Sequence, residues 1–580
     1  RVEGQRLSWG VLDAFGLCAR REHGIPQLKH FHCSDHPGSG YFQVNQKSGI
    51  RLSAHGAFLR PVLDERLDRL HVRTGRHVER LVLEPNQELE PPLPRPHDPH
   101  KALGHDQGID SASASSSSSS LPPPPLFRCS GVLLRSVSSS SFARSPPSSL
   151  SPPSPPNNPC KREDGSEEGG GSGFQFVRAR KEVILAAGAI GSPHLLQVSG
   201  VGPTDLLRSH GVSPLVHSPG VGANLQDHLQ IRSVYRLNDG AVTLNHWLRG
   251  AGSLIGQALL GFQYVFIRRG PLAMAPSQFG VFARSNVKGD GTATRAATRA
   301  GSVLESPAAS SPSSSSEGNR HHRDPHPSPY ERDTPDLQFH LQPLSLDDLG
   351  DPSMKLHPFP GLTTSVCNLR PSSRGSVELT GPSSFHNPPN IDPNYLATKR
   401  DRTVAAAALR LARTLVLGRR STGRGGKEQP QPEFVGGGDL SSSSVSGASP
   451  SLPVAPLASS FACLYGPIVE HFPGEQIESE EELAREAGNI STSIFHPVGT
   501  CAMGPHGGAR RRRGRSVGND DDGGSLPLPV VDERCRVFGV SQLRVCDASV
   551  MPTITSGNTN SPTMAIAEKA SEMILHDNKY

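Results

Sequence analysis

Four stretches of this chain cannot build a core, and they decide what the remainder can be. Residues 106–173 run through Ser and Pro tracts, 287–330 are rich in Ser, Pro, His and Arg, 419–460 in Gly, Ser and Pro, and 506–529 in Arg, Asp and Gly. Such compositions bury too little apolar surface to offset the entropy of ordering a backbone, so all four are expected as disordered insertions. Hydrophobic residues make up only 34% of the 580 positions, beside 60 Gly and 54 Pro, so much of the length lies outside a core. Patterned blocks remain at 1–100, 174–286, 331–418, 461–505 and from 530 to the end. The insertions therefore split one fold rather than separate several.

A net charge of +5 over 580 residues is too dilute for the continuous basic face that nucleic acid or lipid headgroups need, so no nucleic-acid partner is expected. The run "RRRRGR" (Arg510 to Arg515) is followed by "NDDD" in a Gly-rich stretch and reads as a solvated loop with compensating acids. Nine cysteines, an odd number without a C-x-x-C pair, argue against a disulfide framework. The longest apolar-leaning stretch, "LIGQALLGFQYVFI", holds Gln257 and Gln263 and is shorter than the roughly twenty residues a bilayer requires, so no transmembrane segment is expected. In "KHFHCSDH" (Lys29 to His36) the side chains of His30, His32, Cys33 and His36 are all possible zinc ligands, but they lack the paired spacing of a closed site and no metal is assigned. The chain opens on Arg1 rather than Met, and its localisation is not legible.

Two blocks carry strand-turn-helix units. In "KEVILAAGAIGSPHLLQVSGVG", Val183 to Ala187 form a short buried strand, Gly188 and Gly191 allow a tight turn, Ser192 and Pro193 supply an N-cap and first helical residue, and Gly200 stops the helix. Such a unit presents free backbone N–H groups beside a sheet edge, where α/β folds bind phosphates, although a purely structural βα crossover fits the same residues. In "LRVCDASVMPTITSGNTNSPTMAIAEKASEMI" a strand from Leu543 ends near Asp547, a turn follows with Gly557, Asn558 and Asn560, and Ser561-Pro562 repeats the cap and proline. Met564, Ala567, Ala570, Met573 and Ile574 then give one apolar helical face. No acid precedes Glu568 in this helix, so its positive end is available to an anion.

These residues resemble the glucose-methanol-choline (GMC) flavin oxidoreductases, and are most similar to the choline-dehydrogenase-like branch. Gly188, Ala189, Ser192, Pro193, Leu195, Leu196, Ser199, Gly200, Val201 and Gly202 follow that family's second signature position by position. "PGVGANLQDHL" (Pro219 to Leu229), "FHPVGTCAMG" and "DASVMPTITSGNTNSPTMAIAEKA" look like its later motifs, in order. The resemblance covers nearly all the patterned blocks and none of the insertions. It departs at one point: the family's opening βαβ unit bears G-x-G-x-x-G, and no such spacing occurs here. The chain is therefore expected to be truncated at its N-terminus and to lack most of the adenine-side FAD cradle.

The resemblance implies an α/β fold with an FAD-binding, Rossmann-like domain built from blocks near 51–100, 174–230 and 530–580. It implies a second, substrate-binding domain from 1–50 and 231–505 on an antiparallel sheet. "DLQFHLQPL" (336–344), "LTTSVCNLRPSSRGSVEL" (362–379) and "PNIDPNYL" (389–396) read as its strands and turns, with an apolar face expected to close over the flavin. The implied reaction is FAD-dependent oxidation of a small-molecule alcohol, with a choline-like substrate as one candidate, to an aldehyde. Two Trp and seven Tyr do not by themselves point to a quaternary-ammonium cage. An oxidase and an acceptor-linked dehydrogenase look alike at this level, so the electron acceptor, oxygen or a carrier, stays open.

Alcohol oxidation sends a hydride to flavin and needs a base for the hydroxyl proton; imidazole suits that task near neutral pH. By resemblance His496 is the catalytic histidine: Pro497 restricts its backbone to extended geometry, and Gly499, Thr500, Cys501 and Ala502 are small enough to leave room for a flat ring. Asn558 takes the family's second polar position as a hydrogen-bond donor to the substrate oxygen, with Asn560 as the alternative. For the cofactor, the resemblance points to Val78 on the adenine side, Asp547 and Ala548 near the pyrophosphate and ribityl chain, Asn560, Pro562 and Thr563 at the isoalloxazine, and Ala187 and Gly188 lining the same crevice. Two other readings stay open: a non-catalytic, flavin-free chain, and a lyase that holds FAD without using its redox chemistry.

Overall fold

A computed structural model describes residues 2–29, 36–63, 69–86, 125–137, 174–245, 277–287, 334–346, 355–418, 460–505 and 527–579, with a few isolated positions between them. The expected insertions 287–330, 419–460 and 506–529 lie almost entirely outside the described residues, as do His30, His32 and Cys33, the arginine run and most of the 254–267 apolar stretch. Two compact units emerge: Arg1–Glu65 with His228–Ser372 and Leu396–Ile494, and Arg66–Asp227 with Ser373–Tyr395 and Phe495–Tyr580.

The first unit is built on a seven-stranded sheet. Its strands lie in the order Val469–Phe472, Leu229–Arg236, Gly361–Asn368, Leu337–Gln342, Phe279–Ala283 and Gly38–Tyr41, and Ser491–Ser493 also pairs with Leu229–Arg236. All these pairings are antiparallel. The register explains why "LQFHLQ" is buried at every position. Leu337, Phe339 and Leu341 stand opposite Asn368, Val366 and Thr364 on one face, while Gln338, His340 and Gln342 stand opposite Cys367, Ser365 and Thr363 on the other. The apolar face packs in one core with helices Gly10–His23 and Lys399–Leu417, where each buried Leu or Phe contributes roughly 1.5–3 kcal/mol. This corrects the expectation that the apolar face would close over a cofactor. It is covered by the unit's own helices, and the face left over carries Gln338, His340 and Gln342.

In the second unit Arg76–Pro85, Phe127–Ser136, Phe174–Arg178 and Val540–Ser541 form a four-stranded sheet. Phe127–Ser136 falls inside the stretch expected to stay disordered. "FRCSGVLLRS" buries Cys129 and Leu134 and pairs on both sides, with Arg76–Pro85 and Phe174–Arg178, which suffices to order ten residues between a proline tract and a serine tract. Beside this sheet, Val183–Leu185 and Leu543–Val545 run parallel, and each leads into a turn and then helical structure.

The predicted helices form, but their beginnings differ. The first spans Gly188–Val198, so Ser192 and Pro193 lie inside it rather than at its start. Pro193 cannot donate to the carbonyl of Ala189, four residues back; the Thr500 hydroxyl donates to that oxygen instead, at 2.6 Å. The last helix spans Asn560–Asp577 with Thr559 at its N-cap, again placing the Ser-Pro pair one step inside. Of its expected stripe, Ala570 is fully buried and Met564, Met573 and Ile574 are half-buried, but Ala567 is exposed and Ile566 packs on the core in its place.

Candidate active site

Asp547 lies two residues past the parallel strand Leu543–Val545 and is 4% exposed, and four donors converge on its carboxylate. Oδ2 accepts from the Gly188 backbone N–H at 2.9 Å and the Ser192 hydroxyl at 2.5 Å; Oδ1 accepts from the backbone N–H and hydroxyl of Ser549 at 2.8 and 2.6 Å. The carboxylate thus locks the two strand-turn-helix units together, and its charge makes each bond stronger than a neutral one. Its side chain is fully committed, and its carbonyl accepts from Val550 N–H at 3.3 Å. Gly188 has φ of 79°, a left-handed conformation that glycine takes without strain, and the space on its Cβ side is open.

The segment that bears His496 is held to Ala548–Val550 from the other side. Cys501 N–H donates to Ser549 O at 2.9 Å, and Met503 N–H to Val550 O at 2.9 Å. Gly499 is required where it stands: its φ is 94°, and a Cβ there would lie 2.6 Å from Asn224 O. Burial, reinforced by the Asp547 carboxylate, pushes the Cys501 thiol well above the ordinary range, so it packs as an inert small residue.

His496 is 7% exposed. Its backbone N–H donates to Asp227 Oδ1 at 2.9 Å, and Asp227 Oδ2 accepts from the Tyr395 hydroxyl at 2.5 Å. Phe495, just before it, holds φ of 62° with its ring 83% exposed, a left-handed conformation that costs a bulky residue on the order of 1 kcal/mol. Asn558 Nδ2 stands 3.2 Å from His496 Nε2. With the amide as donor, Nε2 carries a lone pair, the protonation state a base needs. Burial lowers the His496 pKa from the ordinary imidazole value, and the Asp227 carboxylate opposes this only in part.

Of the residues singled out in the sequence, His496 and Asn558 meet directly, as do Asp547 and Gly188. Ala187 donates its N–H to Ser192 Oγ at 3.1 Å, and Ala548 offers its carbonyl to Gly499 at 3.4 Å. Asn560 is exposed and Pro562 and Thr563 half-buried at the start of their helix, two residues and more beyond Asn558. Val78 lies on the four-stranded sheet, at a register shift, with its carbonyl taken by the Ser384 hydroxyl at 2.9 Å. Sequence reasoning missed Asp227, Ser192, Thr500 and Ser549 as supports. "NLQDH" and "SP" were legible as motifs, but their partners lie more than 250 positions away in the chain.

The fold and site define a class: a chain with one α/β unit of parallel strand-turn-helix crossovers, one antiparallel-sheet unit, and a buried imidazole facing a carboxamide. That fold is shared with a formate oxidase crystal structure (TM-score 0.62, 19% identity, covering 100% of this chain and 72% of that one) and with a fungal aryl-alcohol oxidase (TM-score 0.58, 18% identity, 99% and 72%). Family models described as GMC oxidoreductase match residues 165–230 and 371–567. The chain belongs to the GMC oxidoreductase family, in its choline-dehydrogenase-like branch. An alcohol dehydrogenase [acceptor] of Pseudomonas putida is 31% identical over 401 residues, covering 68% of this chain and 51% of the relative. An oxygen-dependent choline dehydrogenase of Vibrio vulnificus is 29% identical over 398 residues, covering 69% and 51%. The chain thus spans about half the length of these curated relatives.

Proposed function

We propose that this chain is an FAD-dependent oxidoreductase acting on CH–OH groups, oxidising an alcohol to an aldehyde with His496 as the base. The observation that carries the reading is the buried His496 imidazole, its Nε2 3.2 Å from Asn558 Nδ2 and its pKa lowered by burial. An alcohol oxygen that displaces the Asn558–His496 bond gives its proton to Nε2 and takes a hydrogen bond from the Asn558 NH₂ as negative charge develops. Asp227 holds the main chain of His496 and keeps the imidazole from moving as the proton arrives. The choline-like branch supports a small alcohol, with choline-like compounds the first class to try.

The residues present fit a flavin. Gly188 and Gly557 have open space on their Cβ sides, and the exposed first turn of Asn560–Asp577 has no acid and no side-chain cap. A helix N-terminus of this kind stabilises an anionic group. Asn560, Pro562 and Thr563 are the proposed contacts to the ring, Ala187, Gly188 and the backbone of Asp547 and Ala548 to the pyrophosphate and ribityl chain, and Val78 to the adenine side. FAD bound there supplies hydride acceptance, a chemistry no side chain provides. Among the described residues no helix is long and apolar enough to cross a membrane.

The test is to mix FAD-loaded protein with alcohols in the absence of oxygen and follow the yellow colour. Bleaching supports the oxidoreductase, and His496→Ala is expected to slow it by about 10²–10⁴-fold. Flavin that stays bound but unbleached overturns alcohol oxidation in favour of a lyase, and colourless protein after FAD loading points to a non-catalytic chain.

A further inference from the structure

Between the segment that bears His496 and the turn that leads to Asn558 lies the segment Asn224 to Asp227, and it touches both. The backbone of Gln226 pairs in both directions with Val498, two residues beyond His496, at 3.0 and 2.9 Å. Its side chain, on a residue 1% exposed, reaches the other way: Oε1 accepts from Ile554 N–H at 3.2 Å, and Nε2 donates to Pro552 O at 3.1 Å and to Asn224 Oδ1 at 3.2 Å. Asn224 repeats the span, its Nδ2 lying 3.1 Å from Gly499 O and 3.4 Å from Pro552 O. Asn224 holds φ of 61°, a left-handed conformation Asn accepts more readily than most residues, and this turns its amide toward both partners.

We propose that Gln226 is a positioning residue that fixes the separation of His496 and Asn558, by clamping the 498–499 segment to the 552–554 turn with Asn224 as its second arm. The proposal deepens the alcohol-oxidation reading and rests on it. Direct bonds hold 499–503 to 548–550, but the stretch from Pro552 to Ile554 that leads on to Asn558 is tied to 498–499 through Gln226 and Asn224, so the 3.2 Å between Nε2 and Nδ2 depends on that tie. Displacing a reacting group by about 1 Å can cost on the order of 10²-fold in rate. A carboxamide suits this place because it satisfies one donor and one acceptor of the same turn at once.

The experiment uses the full 580-residue chain loaded with FAD. It compares Gln226→Leu, which keeps side-chain size but makes neither bond, with Asn224→Gly, which keeps the left-handed backbone but removes the second arm. Both are expected to lower kcat with an alcohol substrate by about 10- to 100-fold with little change in KM. In an Asn558→Ala background the Gln226→Leu effect should shrink to less than about twofold, because the geometry it protects is already gone. The imidazole NMR signal of His496, assigned by its loss in His496→Ala, should move in both variants toward its position in Asn558→Ala. A Gln226→Leu loss of full size in the Asn558→Ala background overturns the clamp, as does an unchanged rate and signal in both variants. Should Gln226→Leu fail to fold, Asn224→Gly decides by the same rate and signal. If wild-type protein oxidises no alcohol, the functional reading falls, and the His496 signal alone decides the clamp: moved supports it, unmoved overturns it.

Discussion

The proposed reaction places its base at His496, and two opposed effects set the charge of that side chain. Removal from water disfavours the imidazolium, while the Asp227 carboxylate favours it, and burial wins. The folded pKa is therefore below the ordinary 6.5, and the neutral, proton-accepting form persists to lower pH. The acid limb of kcat/KM is expected below 6.5, and Asp227→Asn should move it lower still, because the mutation removes the one effect that raises the pKa. A pH–rate profile whose limb moves upward in Asp227→Asn contradicts this balance. The sign for stability follows: a depressed folded pKa contributes stability that is complete above the unfolded imidazole value and is lost as pH falls toward the folded one. Position 496 was legible as a stiff, base-competent residue, since Pro497 is adjacent in sequence. That Asp227 holds it was not, because nothing local in "LQDH" says which backbone N–H its carboxylate will meet.

At the scale of elements, the helix Lys399–Leu417 shows how a charge is kept inside the antiparallel-sheet unit. Arg413 places its guanidinium on both oxygens of Glu470 at 2.9 to 3.1 Å and donates to the carbonyls of Ile477 and Gly474 at 2.6 and 2.8 Å. The Glu470 side chain is fully buried, and burial pushes its pKa up despite the arginine. Arg413→Met strands that charge and is expected to cost about 3 kcal/mol at neutral pH. The loss should shrink as pH falls, because a protonated Glu470 no longer needs a counter-ion; equal losses in urea titrations at pH 7 and pH 5 would contradict it. The strand-turn-helix units were legible from Gly, Ser-Pro and apolar spacing. Their exact starts were not: Pro193 sits mid-helix only because Thr500, far along the chain, serves the carbonyl it abandons.

For the whole molecule, the exposed helix start at Asn560 and the open glycines predict that ligand binding and stability are linked. FAD that binds only the folded chain adds about 2.7 kcal/mol at a hundredfold excess over Kd. Thermal melts should therefore shift upward with added FAD, and riboflavin, lacking the pyrophosphate, should shift them less. A melting temperature indifferent to saturating FAD removes the cofactor from the proposal.

Much of this protein was fixed by local pattern, namely the parallel units and the strands around 337–342 and 361–368, whereas the imidazole and the carboxamide were singled out by resemblance to the family. Such features follow from residues within a few positions of one another, where periodicity, proline and glycine act directly. Tertiary structure decided the rest. It ordered Phe127–Ser136 by giving that strand two neighbours, turned the apolar sheet face toward helices rather than a ligand, and packed Ile566 of the last helix on the core in place of Ala567. It also brought Gln226 between two segments 272 and 326 residues away, at Val498 and Pro552. Contacts of that separation depend on where the whole chain folds back, and no window of sequence contains both partners.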